Sequence, residues 1–324
     1  MEYIVFDLEW NQPFHNDISF LKYTGFPLAG EIIEIGAIKL DGRLHIIDRF
    51  KVFVKPKYLK TMNTHVEALT RISFSDLAKG VSFKTAYTMF INWCGAHSVL
   101  LSWGHDDFTM LHDNMQLHRL STPQLPVWYD AQLIYSYHVL GTYQQVGLQK
   151  AMDSLDIESG QLEAHDALHD AIFTAKICQK INLLEGIKRY PSSNIRSRNP
   201  LLGIDVKAFF LYENFSVTDK VMADNKIRTV YCPNCQAKMT CLRPEKVGHG
   251  KYMSIAHCDT HGTFSVQWKI GKYISRRGKR RVYVTKSIGA SNKDVEQFYT
   301  QRGMINKEKE ERARERYHKR MVNR

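Results

Sequence analysis

Residues 3–10 read YIVFDLEW, a β-rich run in which two acidic residues stand among apolar ones. Side chains alternate along a strand, so Asp7 and Glu9 point to the same face. Two carboxylates on one face of an apolar strand repel each other and resist burial. A divalent cation offsets that repulsion, because hard cations take carboxylate oxygens as ligands. The stretch therefore predicts a buried first strand that carries two ligands of a metal site, in preference to a solvent-facing pair of acids.

Strand and helix patterns continue outward from this stretch. Residues 32–40 and 46–54 have strand patterns, and Asp41-Gly42 between them is a hairpin turn signal. Residues 85–97 have a helical pattern, and residues 98–103 read as a buried strand. Strands first and helices alternating later predict an α/β domain with a mixed sheet. Further helical patterns follow at 107–119, 130–140, 146–154 and 166–185.

The charge of the chain is divided unevenly along its length. Residues 1–189 carry 17 basic and 21 acidic residues, whereas residues 190–324 carry 28 basic and 12 acidic residues. An acidic half joined to a strongly basic half indicates a polyanion that one part holds and the other acts on. Six cysteines are too few for a disulfide scaffold of 324 residues. No basic leader or long apolar run is present, and we expect a cytoplasmic protein without a membrane span.

Length and composition predict that the chain is divided into four segments. Residues 1–189 form a catalytic-size α/β domain, and residues 190–204 read as a linker rich in Pro, Ser and Asn. Residues 205–303 are strand-like with Gly turns, which predicts a smaller β-rich domain. Residues 304–324 read as a charged helical tail.

Two further acidic clusters follow strand and helix signals. In LLSWGHDDFTML (100–111), Asp106 and Asp107 come directly after a buried strand, where a helix starts. An Asp at such a position is most often a helix cap, so either residue has a structural alternative. His165 and Asp170 stand five residues apart in EAHDALHDA, at the start of another helical pattern.

In combination, these motifs resemble the DEDDh group of 3′–5′ exonucleases, a family of ribonuclease-H-like fold that includes ribonuclease T and the proofreading exonucleases. The resemblance covers roughly residues 1–185. The second motif, SWGHDDFTML (102–111), contains Trp-Gly-x-x-Asp. In this respect it is similar to the motif of the RNA-trimming, histone-mRNA-exonuclease-like branch. Arg71 departs from the family pattern, which often has Gly there. The matching segments are FDLEW (6–10), EIIEIGAIKL (31–40), FVKP (53–56), LTRIS (69–73), SWGHDDFTML (102–111) and HDALHDA (165–171).

The resemblance implies a two-metal mechanism and assigns its residues. Asp107 is the second-motif acid, because an apolar helix follows that acid in the family, and Asp106 stays as the alternative. An imidazole can take a proton from water near neutral pH, which suits His165 as general base. Asp166 and His169 are expected to be non-catalytic. The predicted catalytic residues are Asp7, Glu9, Asp107, His165 and Asp170, and the four acids are the predicted ligands of two Mg²⁺ or Mn²⁺ ions.

The basic half contains two cysteine-based pairs. Cys232 and Cys235 form a C-x2-C pair, and Cys258 and His261 form a C-x2-H pair. This spacing predicts one structural Zn²⁺ in a zinc-ribbon-like domain, although a zinc ribbon usually has four Cys ligands. The alternative ligands are Cys241, His249 and His257.

The segment after the cysteine pairs, residues 268–286, interleaves aromatic and basic side chains. Bases stack on aromatic rings, while Lys and Arg neutralise phosphates. RRGKRR within this segment reads as the tip of a hairpin, where a basic cluster can face outward. The predicted nucleic-acid-binding residues are Trp268, Lys269, Lys272, Tyr273, Arg276, Arg277, Lys279, Arg280 and Arg281.

The motifs together predict a metal-dependent 3′–5′ exonuclease that hydrolyses single-stranded nucleic acid, with RNA favoured over DNA. One alternative is a DNA-directed 3′–5′ exonuclease or an oligonucleotide-degrading enzyme. Another is a non-catalytic nucleic-acid-binding protein on the same fold. The presence of all four acids and the histidine disfavours this last alternative, because a degenerate scaffold would be expected to have lost some of them.

Overall fold

The chain folds into two compact units. Residues 1–14 and 28–190 form the first unit, and residues 15–27 and 191–324 form the second. A short segment that precedes residue 28 therefore belongs to the C-terminal unit. The predicted linker, 190–204, lies outside the described residues except for Tyr190. The computed structural model describes residues 1–14, 18–25, 30–120, 125–142, 144–190, 206–216, 221–275 and 277–322.

The first unit contains a five-stranded mixed sheet. Its strands are β1 (Glu2–Asn11), β2 (Glu31–Leu40), β3 (Ile46–Phe53), β4 (Ser98–Ser102) and β5 (Val127–Asp130). Their order across the sheet is β3-β2-β1-β4-β5. The pairs β1/β2 and β2/β3 are antiparallel, whereas β1/β4 and β4/β5 are parallel. The predicted α/β fold with a mixed sheet is confirmed.

Helix α1 (Ser19–Thr24) stands in the chain between β1 and β2 but belongs to the second unit. The helices of the first unit are α2 (Thr64–Thr70), α3 (Phe74–Ala78), α4 (Phe83–Cys94), α5 (Asp106–Leu117), α6 (Ala131–His138), α7 (Leu148–Ser154), α8 (Ala167–Lys180) and α9 (Leu183–Lys188). The pattern predicted as one helix over 166–185 is two helices, because the backbone is extended at Ile181. Helices α2 and α3 are short and begin at caps, where the side chains of Asn63 and Ser73 accept backbone N–H groups.

Strand β1 is covered on both faces, as its apolar sequence predicts. Ile4, Phe6 and Leu8 belong to a buried cluster that includes apolar residues of α4 and α5. Tyr3 and Val5 belong to a second cluster with residues of α6 and α8. The strand therefore lies at the centre of the first unit, with α8 on the face that the odd-numbered residues share.

The first turn of α8 packs against β2 at Gly36, with no space for a side chain. A Cβ atom at this position would lie 2.2 Å from the backbone C of Ala167 and from the backbone N of Leu168. Gly36 is also the partner of Asp7 in the register of β1 and β2. The glycine thus allows the N-terminus of α8 to approach the middle of the sheet.

The second unit is built on an antiparallel sheet. Its strands are β6 (Val206–Phe215), β7 (Thr240–Cys241), β8 (Glu245–Gly248), β9 (Lys251–Cys258), β10 (Gly262–Ile274) and β11 (Arg280–Ala290). The order is β6-β11-β10-β9-β7, and β8 pairs with β9. A short 3₁₀ helix (Val221–Ala223) and α10 (Asn225–Arg228) precede β7. The predicted β-rich C-terminal domain is confirmed.

The C-terminal helix α11 spans Lys293–Val322 and is longer than the predicted tail, 304–324. Its first turns are attached to the sheet, because Val295 and Phe298 pack in a buried cluster with Met253 and Ile255. Apolar residues three apart on a charged helix mark this attachment. Among the residues that the structure describes, no helix is both long and apolar enough to cross a membrane.

We predict that Gly36→Ala destabilises the first unit, because the added methyl group would overlap the backbone of α8 and something must shift. Overpacking of this kind costs about 1–3 kcal/mol, so the melting temperature should fall measurably. Gly42→Ala is the matched control, since a Cβ there would meet only the carbonyl oxygen of Met1 at 3.6 Å. Equal melting temperatures for the two variants, measured by circular dichroism, would contradict the close packing at Gly36.

Candidate active site and metal sites

Asp7 and Glu9 lie on the same face of β1 as Tyr3 and Val5. Phe6 and Leu8, which alternate with the two acids, are only 1% and 2% exposed, whereas Asp7 and Glu9 are half-buried. The strand alternation that buries Phe6 and Leu8 in the core thus turns both carboxylates to the opposite face.

A tight turn after β4 brings Asp107 to the same place. Gly104 has a φ of +99°, a conformation that favours glycine. Its backbone N–H donates to Asp130 Oδ1 over 3.1 Å, and the same Asp130 oxygen accepts the N–H of Leu133 and caps α6. The turn leads into α5, whose first turn holds Asp107 with its Oδ1 accepting the Leu8 N–H at 3.1 Å. Asp107 is therefore hydrogen-bonded to the backbone between Asp7 and Glu9.

The two adjacent candidates for the second-motif acid are placed differently. Asp107 is buried, with 6% exposed. The side chain of Asp106 is 76% exposed, and its Oδ1 lies 3.3 Å from His105 Nε2. The charge of Asp107 acts on Asp7, so Asp107 is the residue that the fold brings to the carboxylates of β1.

The N-terminus of α8 supplies the remaining predicted residues. Asp166 caps this helix by accepting two backbone N–H groups, which agrees with a structural role. Asp170 follows in the first turn, and its Oδ2 accepts the backbone N–H of His165 at 3.2 Å. Ligand atoms of Glu9, His165 and Asp170 all lie within 4.8 Å of one another, and His165 is exposed to solvent. The structure therefore brings all five predicted catalytic residues into one site.

Glu34 and Lys51 are two residues of the site that the sequence analysis did not single out. Glu34 is opposite Glu9 in the register of β1 and β2, and its Oε2 accepts the backbone N–H of Ala167 at 3.1 Å. Lys51 Nζ lies 2.8 Å from Glu34 Oε1 and also pairs with Asp166. A lone acid in the apolar run IIEIGAIKL is a weaker form of the signal that identified the pair Asp7 and Glu9, whereas the partnership with Lys51 has no signal in the sequence.

The backbone conformation at Arg71 accounts for the Gly that the family often has at this position. Arg71 ends α2 with a φ of 59°, in the left-handed region where glycine is most easily accommodated. Its guanidinium group forms an ion pair with Glu163, two residues before His165. The arginine therefore adopts the backbone conformation of a glycine and adds a contact to the segment that carries the histidine.

Burial and mutual repulsion raise the pKa values of the site carboxylates. Burial, followed by the charges of the neighbouring acids, raises the pKa of Asp7 well above its usual range. The same causes raise the pKa of Glu9 to about 8. Burial raises the pKa of Asp107 to about 7 and also raises that of Asp170. Oxygen ligands held this close, with their charges uncompensated, fit divalent cations that prefer carboxylates.

The chain matches the family model described as Exonuclease (RNase_T) over residues 4–178, which is more than half of its length. It therefore belongs to this exonuclease family and is a nuclease that hydrolyses nucleic acid, as the resemblance to the DEDDh exonucleases predicted. A comparison with curated proteins gives no match.

Solved nuclease structures are similar to this chain at low identity. The nuclease domain of 3'hExo, a DEDDh family member bound to rAMP, is 22% identical, covers 57% of this chain and 92% of its own, and has a TM-score of 0.49. The cell-death related nuclease 4 (CRN-4) is 18% identical, with coverages of 56% and 64% and a TM-score of 0.47. E. coli exonuclease I in complex with a dT13 oligonucleotide is 12% identical, with coverages of 78% and 55% and a TM-score of 0.44.

In the second unit, Cys232, Cys235, Cys258 and His261 form a cluster whose ligand atoms all lie within 4.8 Å of one another. Cys235 Sγ is 3.7 Å from Cys258 Sγ, and His261 Nδ1 is 3.6 Å from Cys232 Sγ and 3.7 Å from Cys258 Sγ. Metal–sulfur bonds of about 2.3 Å at tetrahedral angles separate two sulfurs by about 3.8 Å. The distances between the ligand atoms of the cluster therefore fit tetrahedral coordination of one metal ion.

The alternative ligands lie apart from this cluster. The thiol of Cys241 donates to Ser254 Oγ at 3.3 Å. His257 is exposed, with Nε2 3.9 Å from Asp259 Oδ1. Among the described residues, the metal-ligating group in this unit contains neither of them, nor His249.

The predicted nucleic-acid-binding residues differ in accessibility. Trp268 is only 1% exposed and its Nε1 donates to the carbonyl of Ile227, so its ring is part of the core and is not accessible to a base. Tyr273 is 6% exposed and donates to Asn214 Oδ1 at 2.9 Å. Arg281 is half-buried, and Arg276 lies outside the described residues. The exposed basic residues are Lys269, Lys272, Arg277, Lys279 and Arg280.

We predict that the metal-free protein loses stability as the pH rises from about 5 to 8. The folded chain keeps a proton on Glu9 up to about pH 8 and on Asp107 up to about pH 7. The unfolded chain releases these protons near about pH 4. The folded state thus binds more protons in this window, and its free energy of unfolding falls as pH rises. Urea unfolding of the metal-free protein at several pH values measures this slope.

The variant Glu9→Gln lacks one of these titrations and should show a smaller slope. Glu158→Gln, at an exposed acid, is the control and should keep the wild-type slope. Added Mg²⁺ or Mn²⁺ should stabilise the wild type more at pH 8 than at pH 6, because protons compete with the cation for the carboxylates. Identical slopes for the wild type and Glu9→Gln would show that the pKa of Glu9 is not raised.

Proposed function

We propose that this protein is a metal-dependent 3′–5′ exonuclease that hydrolyses single-stranded nucleic acid, with RNA preferred over DNA. One observation carries the proposal. Asp7, Glu9, Asp107 and Asp170 come from three distant parts of the chain and meet beside an exposed His165. A purely structural role would not require four carboxylates to share a partly buried site, because each loses solvation and repels the others.

The four acids are the proposed ligands of two Mg²⁺ or Mn²⁺ ions. Their donors are all carboxylate oxygens, which suit hard cations over Zn²⁺. Such ions, when bound, neutralise the scissile phosphate, lower the pKa of a water and stabilise the leaving 3′ oxygen. The backbone N–H of Leu8 orients Asp107, and Asp170 accepts the N–H of His165, so both carboxylates are held by the main chain.

His165 is the proposed general base. It is exposed, so a water molecule can reach its ring, and its ligand atom lies within 4.8 Å of those of Glu9 and Asp170. A ring nitrogen of the imidazole takes the proton from the attacking water and returns it to solvent. A positioned general base contributes about 10²–10⁴ in rate.

The preference for RNA rests on the second motif, and the 3′–5′ polarity rests on the resemblance of all the motifs to the DEDDh exonucleases. Trp103, Gly104 and Asp107 match the RNA-trimming branch of the family in this motif.

End-labelled single- and double-stranded RNA and DNA, incubated with Mg²⁺, Mn²⁺ or EDTA, test the proposal. Product ladders that shorten from the 3′ end of single-stranded RNA are the expected result. Faster digestion of DNA, or of short oligonucleotides only, would favour a different nuclease, and binding without cleavage would favour a scaffold.

We further propose that the cluster in the second unit binds one structural Zn²⁺. The donor set of three thiols and one imidazole is one that Zn²⁺ takes in closed structural sites. The hydrogen bond from the His261 side chain lowers the pKa of the Cys258 thiol, which favours the thiolate that a metal needs.

We predict that Asp107→Asn strongly lowers the rate of hydrolysis and that Asp106→Asn does not. The two side chains are adjacent and chemically identical, but only Asp107 is buried beside β1. Loss of one metal-binding carboxylate should lower kcat/KM by about 100-fold or more, which is about 3 kcal/mol. Asp106→Asn should stay within about threefold of the wild type. Equal losses in the two variants would show that the second-motif acid is misassigned.

We predict that Cys235→Ser loses the bound zinc and lowers the melting temperature of the second unit. Elemental analysis of the purified protein should give about one Zn²⁺ per wild-type chain and much less in the variant. Cys241→Ser is the control and should keep its zinc, since its thiol contacts Ser254 instead. A wild-type protein without zinc, whose melting curve a chelator leaves unchanged, would rule out the structural ion.

A further inference from the structure

The second unit contains a cavity of about 870 Å³ that the functions proposed above do not use. Helix α1 contributes Lys22 and Tyr23 to its lining, the end of β6 contributes Glu213, and the β10–β11 hairpin contributes Lys279 and Arg281. Ligand sites typically have volumes of about 300–1,000 Å³. The cavity is therefore large enough to hold a nucleotide or a short segment of a strand.

The lining of this cavity is strongly basic. It contains Lys22, Arg277, Lys279 and Arg281 and a single acidic residue, Glu213. Lys22 Nζ pairs with Glu213 Oε1 at 2.7 Å. The other three cations form no ion pair with any residue that the structure describes. Their charge is available to an anionic ligand.

The hairpin that presents these cations is held in shape by hydrogen bonds. Ser275 N donates to the carbonyl of Lys279 at 2.9 Å, and Gly278 N donates to the carbonyl of Ser275 at 2.8 Å. Tyr273 is opposite Arg281 in the strand register, so the two side chains share a face of the hairpin. The hydroxyl of Tyr273 donates to Asn214 Oδ1 on β6 at 2.9 Å. The cavity is thus formed before any ligand binds, which lowers the entropy cost of binding.

An aromatic ring completes the cavity. Tyr23 on α1 is 74% exposed although it lines the cavity. An exposed aromatic ring next to several cations can stack on a base while the cations contact the phosphates.

We propose that this cavity binds single-stranded nucleic acid, with a base on Tyr23 and the backbone along Arg277, Lys279 and Arg281. The inference rests on the proposed function only in taking the strand to be the substrate. It also reduces the set of nucleic-acid-binding residues predicted in the basic segment 268–286 to those that line the cavity. Lys272 and Arg280 are opposite Val282 and Ile274 in the register, lie on the other face of the hairpin and do not line the cavity.

The test compares two double variants that remove equal charge from one hairpin. Lys279→Ala/Arg281→Ala alters the cavity, and Lys272→Ala/Arg280→Ala alters the opposite face. Each is made in the full chain with Asp7→Asn and Asp107→Asn, so that a labelled 20-nucleotide RNA or DNA stays intact without a chelator. Fluorescence anisotropy gives Kd between 50 and 200 mM salt, and melting curves confirm folding.

The cavity pair should weaken binding and lower the slope of log Kd against log salt by about 1.4, because each lost phosphate contact on a single strand contributes about 0.7. The opposite-face pair should change Kd by less than about threefold. Tyr23→Ala should weaken binding by about 5- to 150-fold, as expected for one stacked base, and Tyr23→Phe should restore it. Equal effects of the two pairs, or tighter binding of a nucleoside monophosphate than of the strand, would overturn the proposal.

The same variants without the two Asp substitutions separate this inference from the proposed function. Hydrolysis of a nucleoside 5′-p-nitrophenyl phosphate reports on the carboxylate site with one nucleotide only. The cavity variants should hydrolyse this ester at the wild-type rate, although their counterparts with the two Asp substitutions bind the 20-mer weakly. If no ester or strand is hydrolysed but the binding pattern holds, the proposed function fails and the cavity site stands.

Discussion

Repulsion among carboxylates is the constraint on which the first unit depends. Asp7, Glu9, Asp107 and Asp170 share one partly buried site, and their pKa values rise because each is desolvated near the others. The fold tolerates this cost because the elements that carry the acids are held by contacts elsewhere. The alternating face of β1 buries Phe6 and Leu8, the Gly104 turn is bonded to Asp130, and α8 rests on Gly36. An apolar frame thus holds the four carboxylates close together, in the arrangement on which the proposed cation binding rests.

A second set of charges is balanced within the protein itself. Glu34 is buried next to Glu9, but Lys51 forms an ion pair with its carboxylate and the backbone N–H of Ala167 donates to its Oε2. Lys51 also pairs with Asp166, the cap of α8. This network places a positive charge next to two of the acids that surround the site, whereas Asp7, Glu9, Asp107 and Asp170 have no such ion pair among the described residues. The same bonds attach the start of α8, and with it His165 and Asp170, to the sheet.

The second unit has an excess of positive charge, whereas the site of the first unit is acidic. Its sheet buries Trp268 and other apolar residues in one core and places its excess of Lys and Arg on the surface. The four-ligand cluster brings Cys232 and Cys235 next to Cys258, the last residue of β9, and His261 in the turn that follows it. Helix α1 belongs to this unit although its sequence lies between β1 and β2, so the boundary between the units does not follow the order of the chain.

The amino-acid sequence alone was enough to predict the α/β order of elements, the buried first strand with its paired acids, the C-x2-C and C-x2-H pairs and the exonuclease family. Those features are local patterns, and local patterns depend on strand alternation, helix spacing and ligand spacing. Other features became visible only in the folded chain: which of Asp106 and Asp107 faces β1, the ion pair of Lys51 with Glu34, the place of Trp268 in the core, and the assignment of α1 to the second unit. Each of these depends on contacts between residues far apart in the chain. Composition and periodicity carry no record of such contacts, because the same local pattern is compatible with many packings.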